Sequence, residues 1–244
     1  MTKETKKWWE HTSEWYQKES KIPIDIHYGP GSPNEDKLKL LGNLKGKNVL
    51  EIGCGGAQCG IAMAKKGAKV TGIDISEQQL KFAKELARKN KVNIKFIQRD
   101  FRKFPEIKSD SQDIVFSAYA LQYCDRLDIC FKEVHRVLRK NGIFVFSFDH
   151  PFFRLFIEKK ESYFRTGRWA DTFSDPTKIF VKYDHTISEL YNLLVKSGFS
   201  VEQILEPDSR KRHKGDPWYG LWDYTPELLK MVPPTIIFKA RKNK

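Results

Sequence analysis

An α/β fold built on a mostly parallel sheet is predicted for this 244-residue chain by three observations. From Lys47 to Asp149 short apolar strands alternate with helices, the rhythm of right-handed βαβ crossovers that cover a sheet on both faces. The first of those strands ends in a glycine cluster that opens directly onto a helix. The last strand signal, Thr235 to Ala240, has no helix between it and the strand before it, so it runs antiparallel. Together they predict seven strands, six parallel and the last reversed, in one domain spanning 1–244.

Each element has its own signal. Asn48 to Ile52 is a short apolar strand, and Ala57 to Lys66 a small-residue helix stopped by Gly67. Lys69 to Ile73 is the second strand. Ser76-Glu-Gln-Gln79 has the capping-box pattern and starts a helix that puts Leu80, Ala83, Leu86 and Ala87 on one face. Asn93 to Ile97 and Ile114 to Ser117 are the third and fourth strands. Asp125 to Arg139 reads as an amphipathic helix through Leu127, Phe131, Val134 and Leu138, ended by Asn141-Gly142, and Ile143 to Phe148 as the fifth strand. After Pro151 the rhythm breaks: 151–185 is aromatic and charged without a clean period. Helix returns at Ser188 to Lys196 and strand at Phe199 to Ile204. The stretch 206–234 is too long for a hairpin and carries Arg210-Lys-Arg-His-Lys214, then Trp218, Tyr219 and Trp222.

Composition narrows the function classes. Hydrophobic residues make up 40% and charged residues 31%, which fits a folded domain and not a disordered one. The longest uncharged stretch, Ile52 to Ala64, falls short of the roughly 18 residues of a membrane helix. The charged N-terminus lacks the apolar core of a signal peptide, so a cytoplasmic protein with no membrane span is expected. Cys54, Cys59, Cys124 and Cys130 form no C-x-x-C pair, and neither a metal site nor a disulfide framework is expected. A formal charge of +13 fits an anionic substrate, nucleic acid or a lysine-rich solubilising surface alike.

The sharpest feature is Val49-Leu-Glu-Ile-Gly-Cys-Gly-Gly-Ala57, at the carboxyl end of the first strand. Three glycines in four positions let the backbone turn tightly and approach a ligand closely. It is not a Walker loop, since Ile61 follows Gly60 where lysine is needed, and the dinucleotide fingerprint fails at Gln58. Glu51, two residues before the first glycine, would repel a pyrophosphate but suits a ligand carrying positive charge, such as S-adenosylmethionine. Asp74 ends the second strand 23 residues after Glu51, where an acid accepts from ribose hydroxyls or favours the start of the next helix.

These residues resemble the class I S-adenosylmethionine-dependent methyltransferases, within them the methyltransferase-domain group that includes the ubiquinone and menaquinone C-methyltransferases. The resemblance runs from about Lys47 to Pro151, through Val49 to Gly56, Val70 to Ser76, Gln98-Arg-Asp-Phe101, Asp113 to Tyr123 and Glu133 to Gly142. It implies a Rossmann-like sheet of strand order 3-2-1-4-5-7-6 with helices on both faces. It also implies roles: Glu51, Gly53, Cys54 and Gly55 shape the methionine pocket, Asp74 binds ribose, and Ile75 covers one adenine face. Asp100 accepts from the adenine amino group with Phe101 beside the ring, and Ser117 faces the methionine end. The segment 1–45, with Trp8, Trp9, Trp15 and Tyr16 near helical spacing, is expected to cap the cofactor cleft. Ala57 departs from the family pattern, standing where a third glycine is usual.

The acceptor belongs beyond the carboxyl ends of the strands, with 151–185 and 206–234 as acceptor-site insertions. His150 reads as a general base or as a turn residue before Pro151. Tyr119 and Tyr123 line the pocket and orient the acceptor, or pack at a helix start. The basic run at Arg210 would steer an anionic acceptor, or is a solvated loop. The leading expectation is methyl transfer to a small molecule, anionic or aromatic. RNA methylation and a non-catalytic cofactor-binding partner are the alternatives. The chain lacks the [DN]-P-P-[YF] motif of DNA amino-methyltransferases after its fourth strand, where Ser117-Ala-Tyr-Ala120 stands.

Overall fold

The computed structural model describes residues 1–157, 162–164, 166–172, 179–211, 217–218 and 225–243. In chain order the elements are α1 (Lys3–Ser20), α2 (Glu35–Leu38), β1 (Asn48–Ile52), α3 (Gln58–Lys65), β2 (Lys69–Asp74), α4 (Glu77–Lys89), β3 (Lys95–Gln98) and β4 (Gln112–Ser117). A 3₁₀ turn at Leu121–Tyr123 leads to α5 (Leu127–Val137), β5 (Leu138–Asp149), α6 (Pro151–Ile157), β6 (Gly167–Asp171), β7 (Phe180–Asp184) and α7 (Ile187–Lys196). The chain closes with β8 (Phe199–Leu205), α8 (Pro226–Met231) and β9 (Thr235–Lys242).

Seven strands form one sheet in the order β3-β2-β1-β4-β5-β9-β8. Counted within that sheet, this is the predicted 3-2-1-4-5-7-6. Strands β1 to β5 pair in parallel, and β9 runs antiparallel between β5 and β8. Alternating side chains build two cores. Leu50, Ile52, Val115, Phe144 and Phe146 pack with α5 and α7, whereas Val49, Val70, Ile114, Phe116 and Val145 pack with α3 and the segment around Leu40–Leu44. Both faces being apolar, the strands read as continuous hydrophobic runs, as a doubly covered parallel sheet requires.

Three places differ from the sequence reading. The stretch before β9 reads as free of helix, but α8 stands there, and the reversal of β9 comes from its pairing between β5 and β8. Leu138 continues the apolar helical stripe of α5, yet it is the first residue of β5 and pairs with Gln112. Pairing across the sheet outweighs helix periodicity there, and the register shift that follows is absorbed where Asn141 takes a left-handed φ of 63°. Within 151–185, where no period was legible, α6 is followed by the antiparallel pair β6–β7, outside the main sheet.

Candidate cofactor and acceptor site

Strand β1 delivers the glycine cluster to the carboxyl edge of the sheet. Gly53 and Gly55 take φ of 63° and 51°, in the left-handed region that a Cβ resists. A Cβ on Gly53 would also run into the Ala120 methyl. Ala57 takes the same left-handed turn, φ 58° and ψ 31°, as the N-cap of α3, a conformation open to a glycine there too. One more glycine matters. A Cβ on Gly60 would collide with Oε2 of Glu51, so Gly60 makes room for that carboxyl between β1 and α3.

Around this edge lies a cavity of about 470 Å³, within the range of about 300–1,000 Å³ that small-molecule and cofactor sites occupy. Its β1–β2 end is formed by Glu51, Gly53, Cys54, Gly55, Asp74 and Ile75, with Phe101 beside them. Glu51 is buried, and burial pushes its carboxyl up to about 8, with the backbone N–H of Gly60 only partly offsetting that. Its Oε2 has no hydrogen-bond partner. Burial likewise raises Asp74 to about 6, although its carboxylate accepts from the backbone N–H of Gly55 and of Ser76, each at 2.9 Å. Two buried acids at one end of a cavity suit a ligand bearing positive charge and no phosphate.

Helix α1 lies over this end. Trp9, Tyr16 and Gln17 line the cavity. Gln58 donates to Gln17 at 2.8 Å and Gln17 donates to Gln79 at 2.8 Å, a chain that ties α3, α1 and α4 across the glycine loop. Glu10 accepts from the N–H groups of Glu77 and Gln78, supplying an acid to the N-terminus of α4.

The other end is enclosed by β5, α6 and the β6–β7 pair. Tyr123, Trp169 and Phe180 form its aromatic walls, and Trp218 extends the lining from the 206–234 segment. Phe180 meets Trp8 and Tyr123 edge-on at 5.1 and 5.7 Å, joining α1 to the hairpin above the cavity. Ionic groups sit among these rings. Lys182 Nζ donates to Asp149 Oδ2 at 2.5 Å, and the Arg154 guanidinium lies 5.0 Å over the Trp169 ring. Burial pulls the Lys182 ammonium down to about 8 against the pull of Asp149. Burial alone would raise Asp149, but Lys182 and Arg154 outweigh it and hold its carboxyl below the usual range. Sequence reading missed Lys182, Arg154 and Asp149 as a group, because they come together only when β7 is placed beside the end of β5.

Of the sequence-predicted residues, Glu51, Gly53, Cys54, Gly55, Asp74, Ile75, Phe101, Tyr119 and Tyr123 line the cavity. Three do not. Ser117 is fully buried and its hydroxyl donates to the Ile52 carbonyl at 3.0 Å, bracing β4 on β1. Asp100 turns from the cavity to accept from Arg102 and from the Met1 ammonium at 2.7 Å. His150 is 2% exposed: Nε2 donates to Glu206 at 2.8 Å and Nδ1 accepts from the Phe152 N–H at 3.2 Å, so both ring nitrogens are occupied. Tyr119 reaches the cavity edge, but its hydroxyl donates to the Pro234 carbonyl at 2.7 Å. In the basic run, Arg210 forms an exposed pair with Asp208. Residues 212–214, Tyr219 and Trp222 lie outside the described residues.

The methyltransferase-domain family model matches residues 43–194. The chain belongs to that family. The methyltransferase is 28% identical to an uncharacterized protein of Haemophilus influenzae over 94% of its own length and 93% of that protein's. It is 30% identical to a ubiquinone biosynthesis O-methyltransferase of Pelagibacter ubique, over 59% of its own length and 60% of the relative's. A Listeria monocytogenes structure provisionally assigned to the S-adenosylmethionine-dependent methyltransferases superposes with a TM-score of 0.68 and 27% identity, covering 84% of this chain and 94% of that one. The cofactor of the methyltransferase is S-adenosylmethionine. Among the described residues no helix is long and apolar enough to cross a membrane, and no cluster of metal-ligating side chains occurs.

Proposed function

We propose that the chain moves the methyl group of S-adenosylmethionine onto a small-molecule acceptor with a planar or apolar part. Glu51, Gly53, Cys54, Gly55, Asp74, Ile75 and Phe101 hold the cofactor in this reading. The observation that carries it is the buried carboxyl of Glu51, its Oε2 without a partner, at one end of a cavity whose other end is aromatic and ionic. The cofactor supplies an activated methyl group on a sulfonium, ready for in-line displacement. The protein's share is orientation: the glycine turn and Asp74 fix one end, while Tyr123, Phe180 and Trp169 hold the acceptor and exclude water. Ser117 supports the β1–β4 edge, and Asp100 anchors the N-terminus of α1 beside Phe101. His150 ties β5 to the segment after β8 through Glu206 and acts on no proton of the acceptor.

A positive charge of +13 keeps RNA as a second reading. Labelled S-adenosylmethionine incubated with a metabolite panel and with bulk tRNA separates the two. Label is expected in a metabolite fraction, with weak tRNA retention on filters that vanishes between about 50 and 200 mM salt. Label in tRNA would overturn the small-molecule reading.

A further inference from the structure

Resting on the reading just given, we infer that the acceptor is an uncharged planar molecule that presents a hydrogen-bond donor and acceptor side by side, read by the side-chain amide of Gln122. Gln122 sits in the 3₁₀ turn after β4 and is 1% exposed. Its Oε1 and Nε2 are both buried, and neither has a hydrogen-bond partner. The residue lines the main cavity and also a small hollow behind it, where Asp149 and Arg154 are likewise common to both. Gln122 therefore stands at the acceptor end, away from Glu51 and Asp74.

A buried amide cut off from water is costly unless something completes its hydrogen bonds, so native proteins rarely leave one open at both ends. Leu121 and Cys124, near it in the turn, are apolar and belong to the core, whereas the hollow behind Gln122 is lined by polar groups that include Asp149, Arg154 and Asp184, none of which completes its amide. A glutamine amide holds its carbonyl and NH₂ in one plane, the complement of an amide, lactam or heterocycle edge. The charges around it point away from an ionic acceptor. Lys182 is paired with Asp149, and Arg154 Nε lies 3.8 Å from Asp149 and 3.6 Å from Asp184. Those two acids and two bases cancel, so among the described residues the cluster keeps no surplus cation for a carboxylate. Tyr123, Trp169 and Phe180 supply flat apolar walls for the body of the molecule.

The test uses benzamide, benzoate and benzamidine as probes of the full chain saturated with S-adenosylhomocysteine, titrated by ligand-observed NMR. Benzamide is expected to bind wild type at least tenfold tighter than benzoate. Gln122→Met is expected to lose that affinity at least tenfold, while S-adenosylhomocysteine affinity stays within twofold. The same variant should raise the thermal midpoint of the free protein by a few degrees, because an orphaned amide is removed; a merely structural glutamine would lower it. Gln122→Glu, of equal size, should shift the preference from benzamide to benzamidine. Benzoate binding as tightly as benzamide, or benzamide affinity indifferent to both variants, would overturn the inference alone. Failure of wild type to bind S-adenosylhomocysteine would overturn the methyltransferase reading beneath it.

Discussion

Replacing Glu51 by Gln should make the free protein more stable, by a margin that grows with pH. Burial pushes the Glu51 carboxyl up to about 8 from an ordinary 4.5. Between those values the folded chain holds the proton and the unfolded chain does not. Folding then takes up a proton, so this group's contribution is full below pH 4.5 and is lost as pH rises toward 8. The slope approaches 1.4 kcal/mol per pH unit, and allowing for half-titration at the upper end the loss between pH 6 and 8 is roughly 2 kcal/mol. Glutamine keeps the shape and an oxygen to accept from Gly60, but does not titrate. The assay is urea denaturation of wild type and Glu51→Gln at fixed ionic strength from pH 5.5 to 8.5, read as the difference between them. Asp74 and Lys182 titrate in the same window, but they are present in both proteins and largely cancel. A difference that stays flat across that range would show that folded Glu51 is ionised throughout. Burial would then not have raised its carboxyl.

Two further outcomes follow from the same end of the cavity. Asp74→Ala should weaken S-adenosylhomocysteine binding by about 1–3 kcal/mol in calorimetry, since a buried charged acceptor is lost; unchanged affinity would remove Asp74 from the ribose role. Gly53→Ala should destabilise the fold by about 2–4 kcal/mol, combining a left-handed φ of 63° with a collision at Ala120. The double variant with Ala120→Gly should recover part of that loss in chemical denaturation. Equal stabilities for the single and double variants would count against the steric account.

The local rules carried the sheet. Apolar strands, the cap at Ser76 and the glycines at 53 and 55 act over a few residues, so the seven strands of the main sheet and its glycine edge were legible from the chain by itself, while their order came from the family resemblance. Glu51 and Asp74 were legible too, because strand ends place them whatever the rest of the molecule does. Tertiary structure decided what depends on distant partners. Leu138 left its helix for a strand because Gln112 pairs with it. His150 is bound to Glu206, 56 residues away, and Ser117 to the Ile52 carbonyl, partners that no local pattern announces. The cluster of Lys182, Asp149 and Arg154 depends on β7 reaching the end of β5, from a segment with no periodic signal. Gln122 looks like any surface glutamine in the sequence; only the packing around it shows that both ends of its amide are buried and open. Hydrogen-bond satisfaction is a property of the assembled surroundings, and no local pattern encodes it.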